Sequence, residues 1–254
     1  AGTVANASSV DVTNTGILRT AGNGSPALMV QSIAGGGGAI AETTSRSSYS
    51  VTLAGTNLGE AVAGTVVLNN SGTALITAGA YSPALVAQSV GGGGGWSLLR
   101  STPNAQLGSE AGELLSGGNV SVTNSSVIQT GDDFSAGAVV QSIGGGGGVT
   151  GNALGNVALG ATRASGTTTS GSVTVRQTGD LGTDGRNSAG FVAQSIGGGG
   201  GLGARVIGDA TLGMKSNAGA TAASGDVDFE GTGQLAYTKG ISSPVLVIQS
   251  IAGG

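Results

Sequence analysis

The stretch SAGFVAQSIGGGGG, residues 188–201, recurs with small changes along the whole chain. Its counterparts are SPALMVQSIAGGGG (25–38), SPALVAQSVGGGGG (82–95), SAGAVVQSIGGGGG (135–148) and SPVLVIQSIAGG (243–254). The Gln-Ser pair therefore repeats at steps of 57, 53, 53 and 55 residues. A period of that size is typical of an array in which one structural unit is stacked many times. We predict a single repetitive segment over residues 1–254, with repeats that end near residues 38, 95, 148, 201 and 254.

The composition excludes several classes of function. Of 254 residues, 53 are Gly, charged residues make up 9% and aromatic residues 3%, and there is no His and no Cys. A Ser-His-Asp or Cys-His site cannot be built without His. A net charge of −4 with no basic stripe predicts no nucleic-acid partner. No window holds 18 apolar residues, so we expect no membrane-spanning helix.

Each repeat contains a regular part that predicts three strands. In the fourth repeat these are the pair Val173 and Val175, an aliphatic segment that ends at Thr183, and the strand around Gln194. Alternating apolar residues with many β-branched side chains favour strands, and the intervening TDGRNS supplies turn residues. Three short strands with their turns predict one coil of a parallel β-helix.

The rest of each repeat is more variable and keeps only a loose alternation, as in Ala204-Arg205-Val206-Ile207. Its length suits a second, shorter coil. We therefore predict an all-β fold, a parallel β-helix (solenoid), with about two coils per 53–57 residue repeat. Counterparts in successive repeats would then lie two coils, about 10 Å, apart. A β-propeller is the alternative, but propeller blades carry periodic aromatic residues, and no aromatic residue recurs in register through the repeats here.

The strand that carries the Gln has apolar residues on both faces. Val139 shares a face with Gln141, and Val140 lies on the other face, so we expect the strand to be covered on both sides. A buried amide needs internal hydrogen bonds, which stacked Gln side chains can supply as a ladder along the axis. A ligand-binding row of Gln is the alternative. We expect Gln141→Leu to be tolerated worse than Ser126→Ala. The residues predicted to form the structural ladder are Gln31, Gln88, Gln141, Gln194, Gln249, Ser32, Ser89, Ser142, Ser195 and Ser250.

The glycine runs do not have the pattern of a phosphate-binding loop, because no Lys follows any of them. Their recurrence predicts a backbone path that Cβ atoms would block, through either positive φ or close packing on a neighbouring layer. A surface for close approach of another chain or a glycan is the alternative. The runs are Gly35–Gly38, Gly91–Gly95, Gly144–Gly148 and Gly197–Gly201.

Acidic residues come nearest to a cluster in the turns that precede the Gln strand of the third and fourth repeats. If these turns stack, their carboxylates could attract a cation such as Ca²⁺, although solvated turns are the favoured interpretation. We predict no catalytic residue and no cofactor. The only metal candidates are Asp132, Asp133, Asp180 and Asp184.

The string [AV]-[VA]-Q-S-I-G-G-G-G-G resembles one that recurs in the passenger regions of Gram-negative autotransporter proteins, the type V secretion class. The resemblance extends over all five repeats. It implies a β-helical passenger that is exported to the cell surface through the outer membrane. It also implies contact with a membrane only through a C-terminal barrel that these residues do not include. No catalytic residue is implied, because the motif is structural.

The predicted function is structural and adhesive: a stalk or filament segment that supports attachment, aggregation or biofilm formation, with a host or glycan surface as partner. One alternative is a β-helical enzyme that acts on polysaccharide, which the scarcity of charge disfavours. Another is an ice-binding solenoid, which needs regular rows of Thr. Because the chain stops inside its fifth repeat, we expect it to be a piece of a longer array. Unpaired strand edges predict self-association, end to end or laterally.

Overall fold

The computed structural model describes residues 2–40, 50–56, 58–97, 104–153, 155–213, 219–233 and 235–253. Within these ranges the chain forms 28 strands in six sheets, and the strand pairs are parallel. The fold is therefore a parallel β-helix, as predicted. No helix among these residues has the length and apolarity needed to cross a membrane.

The first three strands of each repeat contribute to sheets 1, 2 and 3. Sheet 1 contains β1 (Thr3–Val4), β7 (Leu58–Val62), β13 (Gly112–Ser116), β19 (Ala164–Thr169) and β25 (Thr221–Ala223). Sheet 2 contains β2 (Val10–Asn14), β8 (Val66–Asn70), β14 (Val120–Asn124), β20 (Val173–Gln177) and β26 (Val227–Gly231). Sheet 3 contains β3 (Leu18–Thr20), β9 (Ala74–Thr77), β15 (Val127–Thr130), β21 (Leu181–Thr183) and β27 (Ala236–Thr238).

The Gln strand and the strands that follow it contribute to sheets 4, 5 and 6. Sheet 4 contains β4 (Leu28–Ile33), β10 (Leu85–Val90), β16 (Ala138–Ile143), β22 (Phe191–Ile196) and β28 (Leu246–Ile251). Sheet 5 contains β5 (Gly37–Ile40), β11 (Gly94–Ser97), β17 (Gly147–Ala153) and β23 (Gly200–Val206). Sheet 6 contains β6 (Ser50–Leu53), β12 (Asn104–Leu107), β18 (Asn156–Leu159) and β24 (Ala210–Leu212).

Each coil consists of one whole repeat, so the prediction of two coils per repeat is wrong. Every strand pairs with its counterpart in the next repeat: Gln141 lies beside Gln88 on one side and Gln194 on the other. The variable part does not close a coil of its own, because its strands form sheets 1, 5 and 6 and pair with their counterparts in the neighbouring repeats, not with the strands of sheets 2, 3 and 4. Counterparts are therefore one strand spacing apart, about 4.8 Å rather than 10 Å. The described residues form five layers, about 19 Å from first strand to fifth.

Sheet 4 divides each coil into two halves. On one side, Val140 belongs to the largest apolar cluster, together with Leu68 of sheet 2 and Ile128 of sheet 3. On the other side, Val139 packs with Val149 of sheet 5. Every residue of β10, β16 and β22 is buried, which confirms that the Gln strand is covered on both faces.

The outermost layers expose apolar edges. Leu85 in the second layer is fully buried, whereas its fifth-layer counterpart Leu246 is 48% exposed. Ile248, on the same face of β28, is 44% exposed. The inner layers thus carry most of the apolar core, because each has a neighbouring layer on both sides.

Candidate functional site

The five glutamines of sheet 4 form a continuous chain of side-chain hydrogen bonds along the axis. The Nε2 atom of Gln31 donates to Oε1 of Gln88 at 2.6 Å, and Gln88 donates to Gln141 at 2.7 Å. Gln141 donates to Gln194, and Gln194 to Gln249, each at 2.7 Å. Each amide nitrogen therefore donates toward the next repeat, and the ladder has one direction. Gln88 and Gln141 are fully buried, so these bonds satisfy amides that water does not reach.

The serines that follow the glutamines stack in register but do not bond to one another. Instead they connect sheet 4 to the corner between sheets 1 and 2. Ser89 Oγ donates to the carbonyl of Gly64 at 2.8 Å and accepts from the backbone N–H of Gly118 at 2.8 Å. Ser142 donates to the Gly118 carbonyl and accepts from the N–H of Gly171 in the same way. The same carbonyl contact is made by Ser32 to Ser8, by Ser195 to Gly171 and by Ser250 to Gly225. Ser89 and Ser142 thus connect sheet 4 to this corner in their own coil and in the next one, and the serines are not members of the ladder.

A second amide ladder lies at the end of sheet 2, and sequence reasoning missed it. Asn14 Nδ2 donates to Oδ1 of Asn70 at 2.7 Å, and Asn70 donates to Asn124. Asn124 then donates to Oε1 of Gln177 at 2.9 Å, and Gln177 ends the ladder on the carbonyl of Gly179. The signal was present, since an amide residue recurs at the end of the V-x-V strand in four repeats.

The recurring Thr and Ser on either side of the turn before sheet 4 hold that turn together. Thr130 Oγ1 donates to the carbonyl of Ser135 at 2.7 Å, and Thr77 makes the same bond to Ser82 at 2.6 Å. The backbone N–H of Ser135 donates to Oγ of Ser188 in the next layer at 2.9 Å. Thr77 and Thr130 are buried, so this file of Thr does not form an exposed ice-binding face.

The glycine runs have both properties that their recurrence predicted. Gly94, Gly147 and Gly200 have φ of 124°, 135° and 141°, a region that residues with a Cβ avoid. A Cβ built on Gly147 would also overlap the carbonyl oxygen of Gly200 in the next layer. The next residue, Gly148, is blocked in the opposite direction by the carbonyl of Gly95. Two adjacent columns of Gly therefore let the backbones of neighbouring layers touch.

The four aspartates proposed as metal candidates make separate contacts with the protein. Asp133 accepts from the backbone N–H of Arg186 at 2.8 Å and pairs with its guanidinium at 3.1 Å. The Arg186 N–H, together with the guanidinium, holds the pKa of Asp133 below its ordinary value. Asp184 pairs with Lys239 at 2.8 Å, which raises the pKa of Lys239. Asp180 accepts from the N–H of Leu235, and Asp132 from the N–H of Asp133. In the described ranges, no three acidic, His or Cys residues are grouped to hold a metal ion.

An apolar groove of about 200 Å³ runs along the axis between the turn before sheet 4 and sheet 5. Tyr81 and Phe134 form one wall, with ring centroids 4.9 Å apart and planes within 3° of parallel. Trp96, the one Trp of the sequence, lines the groove from β11. Asn187 and Ser242 continue the wall through the fourth and fifth layers. Sequence reasoning missed this groove, because the position of Tyr81 and Phe134 holds Gly, Asn or Ser in the other repeats, and Trp96 comes from a different position of the repeat.

No protein-family model matches the chain, and no curated protein matches it. Among solved structures, the chain is similar to the C-terminal domain of a tapirin from Caldicellulosiruptor kristjanssonii, with 10% sequence identity and a TM-score of 0.10. The match covers 87% of this chain and 54% of the tapirin chain, so the chain spans about half the length of that protein. A likeness at this TM-score carries no argument about fold or function.

Proposed function

We propose that the chain is a stiff structural segment of a bacterial surface protein, with an adhesive role. The observation that carries this proposal is the continuity of its interactions along the axis. Backbone pairing, two amide ladders and the glycine columns each run through successive layers. Such an array transmits force along its axis and displays a long lateral surface, as solenoid proteins do when they serve as scaffolds.

A bead assay tests the adhesive role. Beads coated with the chain are presented to epithelial cells, to immobilised polysaccharides and to one another, and beads coated with an unrelated acidic protein serve as control. We expect attachment or aggregation above the control with at least one of these surfaces. Coated beads that neither attach to any surface nor aggregate would contradict the proposal.

The proposed location is the outer surface of a Gram-negative cell, reached by the type V secretion route. Two observations support this proposal: the resemblance of the Gln-Ser-Ile-Gly run to autotransporter passenger regions, and a fold that agrees with the β-helix which that resemblance implies. Protease treatment of intact cells that express the complete reading frame tests it. Surface location predicts that the repeat region is digested while cytoplasmic proteins stay intact.

We also propose that this 254-residue chain associates end to end. The Gln ladder runs in one direction, so its first-layer end presents the acceptor of Gln31 and its fifth-layer end the donor of Gln249. The apolar edge at Leu246 and Ile248 would be covered by the first layer of another copy. Head-to-tail contact of this kind generates filaments.

Sedimentation of two charge variants tests this association. Ile248→Lys places a charge on the exposed edge of the fifth layer, whereas Val127→Lys places one on the side of the third layer, where Val127 is 42% exposed. We expect the original chain and Val127→Lys to form concentration-dependent oligomers, and Ile248→Lys to remain monomeric. Loss of oligomers in Val127→Lys alone would show lateral contact instead. A monomeric original chain at high concentration would contradict self-association.

A further inference from the structure

One column of residues adopts a left-handed backbone conformation in every layer. It lies seven positions before the Gln and has φ between 52° and 64°. The column consists of Gly24, Tyr81, Phe134, Asn187 and Ser242. Gly tolerates this conformation without cost and Asn tolerates it often, but a bulky aromatic residue is a genuine outlier there. Strain of this kind is concentrated at ligand-binding and active sites.

The two strained aromatic residues face the groove, and the groove brings a third aromatic residue to them. Tyr81 and Phe134 form its wall, and Trp96 lines it from sheet 5. Three of the seven aromatic residues in the chain therefore line one groove, although the repeat pattern requires none of them. Val139 and Val192 form the apolar floor. A concave, aromatic-lined groove with a few polar groups is the usual form of a small-ligand site.

The chemistry of the groove selects an uncharged occupant with both apolar and hydroxyl-rich surfaces. None of the described residues that line it carries a charge, so charge complementarity disfavours anionic and cationic ligands. Its lining residues with polar side chains are neutral: Tyr81, Asn187 and Ser242. Lining residues come from the second to the fifth layer, a length of about 14 Å at the strand spacing of a sheet. Pyranose rings have apolar C–H faces and a rim of hydroxyl groups, and a short chain of them matches this length.

We propose that this groove binds an uncharged oligosaccharide. The C–H faces of the sugar rings lie against the aromatic wall and the valine floor, and their hydroxyl groups exchange hydrogen bonds with Tyr81, Asn187 and Ser242. The inference rests on the proposed adhesive function and assigns its ligand. A peptide is the competing occupant, but strand pairing is open to it only at β23 and β28, the terminal strands of sheets 5 and 4. The other strands of these two sheets that border the groove already have a neighbour on both sides.

The fluorescence of Trp96 reports occupancy directly, because the chain has no other Trp. The chain is titrated with maltohexaose, cellohexaose and chitohexaose as uncharged probes, with a heparin hexasaccharide as the anionic probe and with a proline-rich peptide. We expect a saturable change in Trp96 emission with at least one of the three uncharged sugars. We expect no change with the heparin hexasaccharide or the peptide. Saturation by only the heparin fragment or the peptide would overturn the proposal, as would the absence of any response.

Two variants that take the residue of a neighbouring repeat test the site itself. Tyr81→Gly installs the residue found at Gly24, and Phe134→Asn installs the residue found at Asn187, so both fit the local backbone conformation. The matched control is Tyr237→Gly, which replaces a half-buried aromatic residue of sheet 3 by its counterpart Gly182. We expect a loss of about tenfold in affinity for each groove variant and no loss for the control. Equal affinity in all four proteins would overturn the proposal.

The bead assay separates this inference from the proposed function. If beads coated with the original chain attach to a polysaccharide and beads coated with Phe134→Asn do not, the groove is the adhesive site. If both attach equally, the groove proposal is wrong while adhesion stands. If neither attaches to any surface, the adhesive function fails, and the Trp96 titration alone then decides whether the groove binds sugar.

Discussion

Gln141 shows how a single residue contributes to two layers at once. Its amide nitrogen donates to Gln194 and its amide oxygen accepts from Gln88, and its side chain is fully buried. Replacement by Leu would leave a donor on Gln88 and an acceptor on Gln194 without partners. Each unsatisfied buried group costs about 1–3 kcal/mol. The cost at one residue therefore falls on both neighbouring layers.

We expect Gln141→Leu to lower the free energy of unfolding by about 2–4 kcal/mol, measured by urea denaturation. Gln129→Leu is the matched control, because it is the same substitution at a residue that is exposed on sheet 3. Ser126→Ala is a poor reference, because Ser126 is buried and bonds to Asn124 in the second ladder. The same urea midpoint for the two Gln variants would contradict the ladder.

The glycine columns allow backbone strain and steric overlap to be measured separately. Gly38 and Gly147 have nearly the same φ, 136° and 135°, but a Cβ on Gly38 would meet no atom within 4 Å. We expect Gly38→Ala to cost about 1–3 kcal/mol from backbone strain alone. Gly147→Ala must in addition displace the next layer, so we expect a larger loss of stability or no folding. Circular dichroism and urea denaturation measure both, and equal losses would show that close packing is not what requires Gly.

At the scale of strands and sheets, the sequence predicts the strands better than their partners. Alternation around Val173 and Val175 identifies a strand, because side chains on a strand point to opposite faces in turn. Alternation does not show whether that strand pairs with its counterpart in the next repeat or with a strand from the variable part of the same repeat. The groove was also beyond prediction, since Tyr81 and Trp96 meet only when sheets 4 and 5 fold against each other. Recurrence did predict the Gln row and the glycine packing, because stacked layers bring counterparts together.

In the turn before sheet 4, the carboxylate of Asp133 is expected to make the stability of the chain depend on pH. The pKa of Asp133 is held below its ordinary 3.8 by the Arg186 N–H and guanidinium. A lowered folded-state pKa contributes stability above the ordinary value and loses it as pH falls through the folded value. We therefore expect the chain to be more stable than Asp133→Asn at neutral pH, and the difference to shrink as the pH falls below the ordinary value of 3.8 and through the lower folded-state pKa. Unfolding free energies of both proteins across this range measure it, and a constant difference would contradict the assignment.

At the scale of the whole molecule, one coil per repeat makes each layer depend only on its neighbours. In every sheet, neighbouring strands are six strands apart along the chain, which is one repeat. Strand pairing in the sheets therefore joins only adjacent layers. Stability is then approximately a sum over layers and the interfaces between them. This arrangement gives the chain a continuous lateral surface and two distinct ends, which are the features on which the proposals of adhesion and end-to-end association depend.

The register of neighbouring repeats can be measured by cross-linking, since the chain contains no Cys. Asn69 and Thr123 are exposed and directly paired in sheet 2, and Thr123 is paired in turn with Arg176. The variant Asn69→Cys/Thr123→Cys places two thiols about 5 Å apart, and Asn69→Cys/Arg176→Cys places them about 10 Å apart. A short bifunctional thiol reagent that spans one strand spacing but not two should cross-link the first variant rapidly and the second hardly at all. Failure to cross-link the first variant would contradict one coil per repeat and restore a second coil between successive copies of the motif.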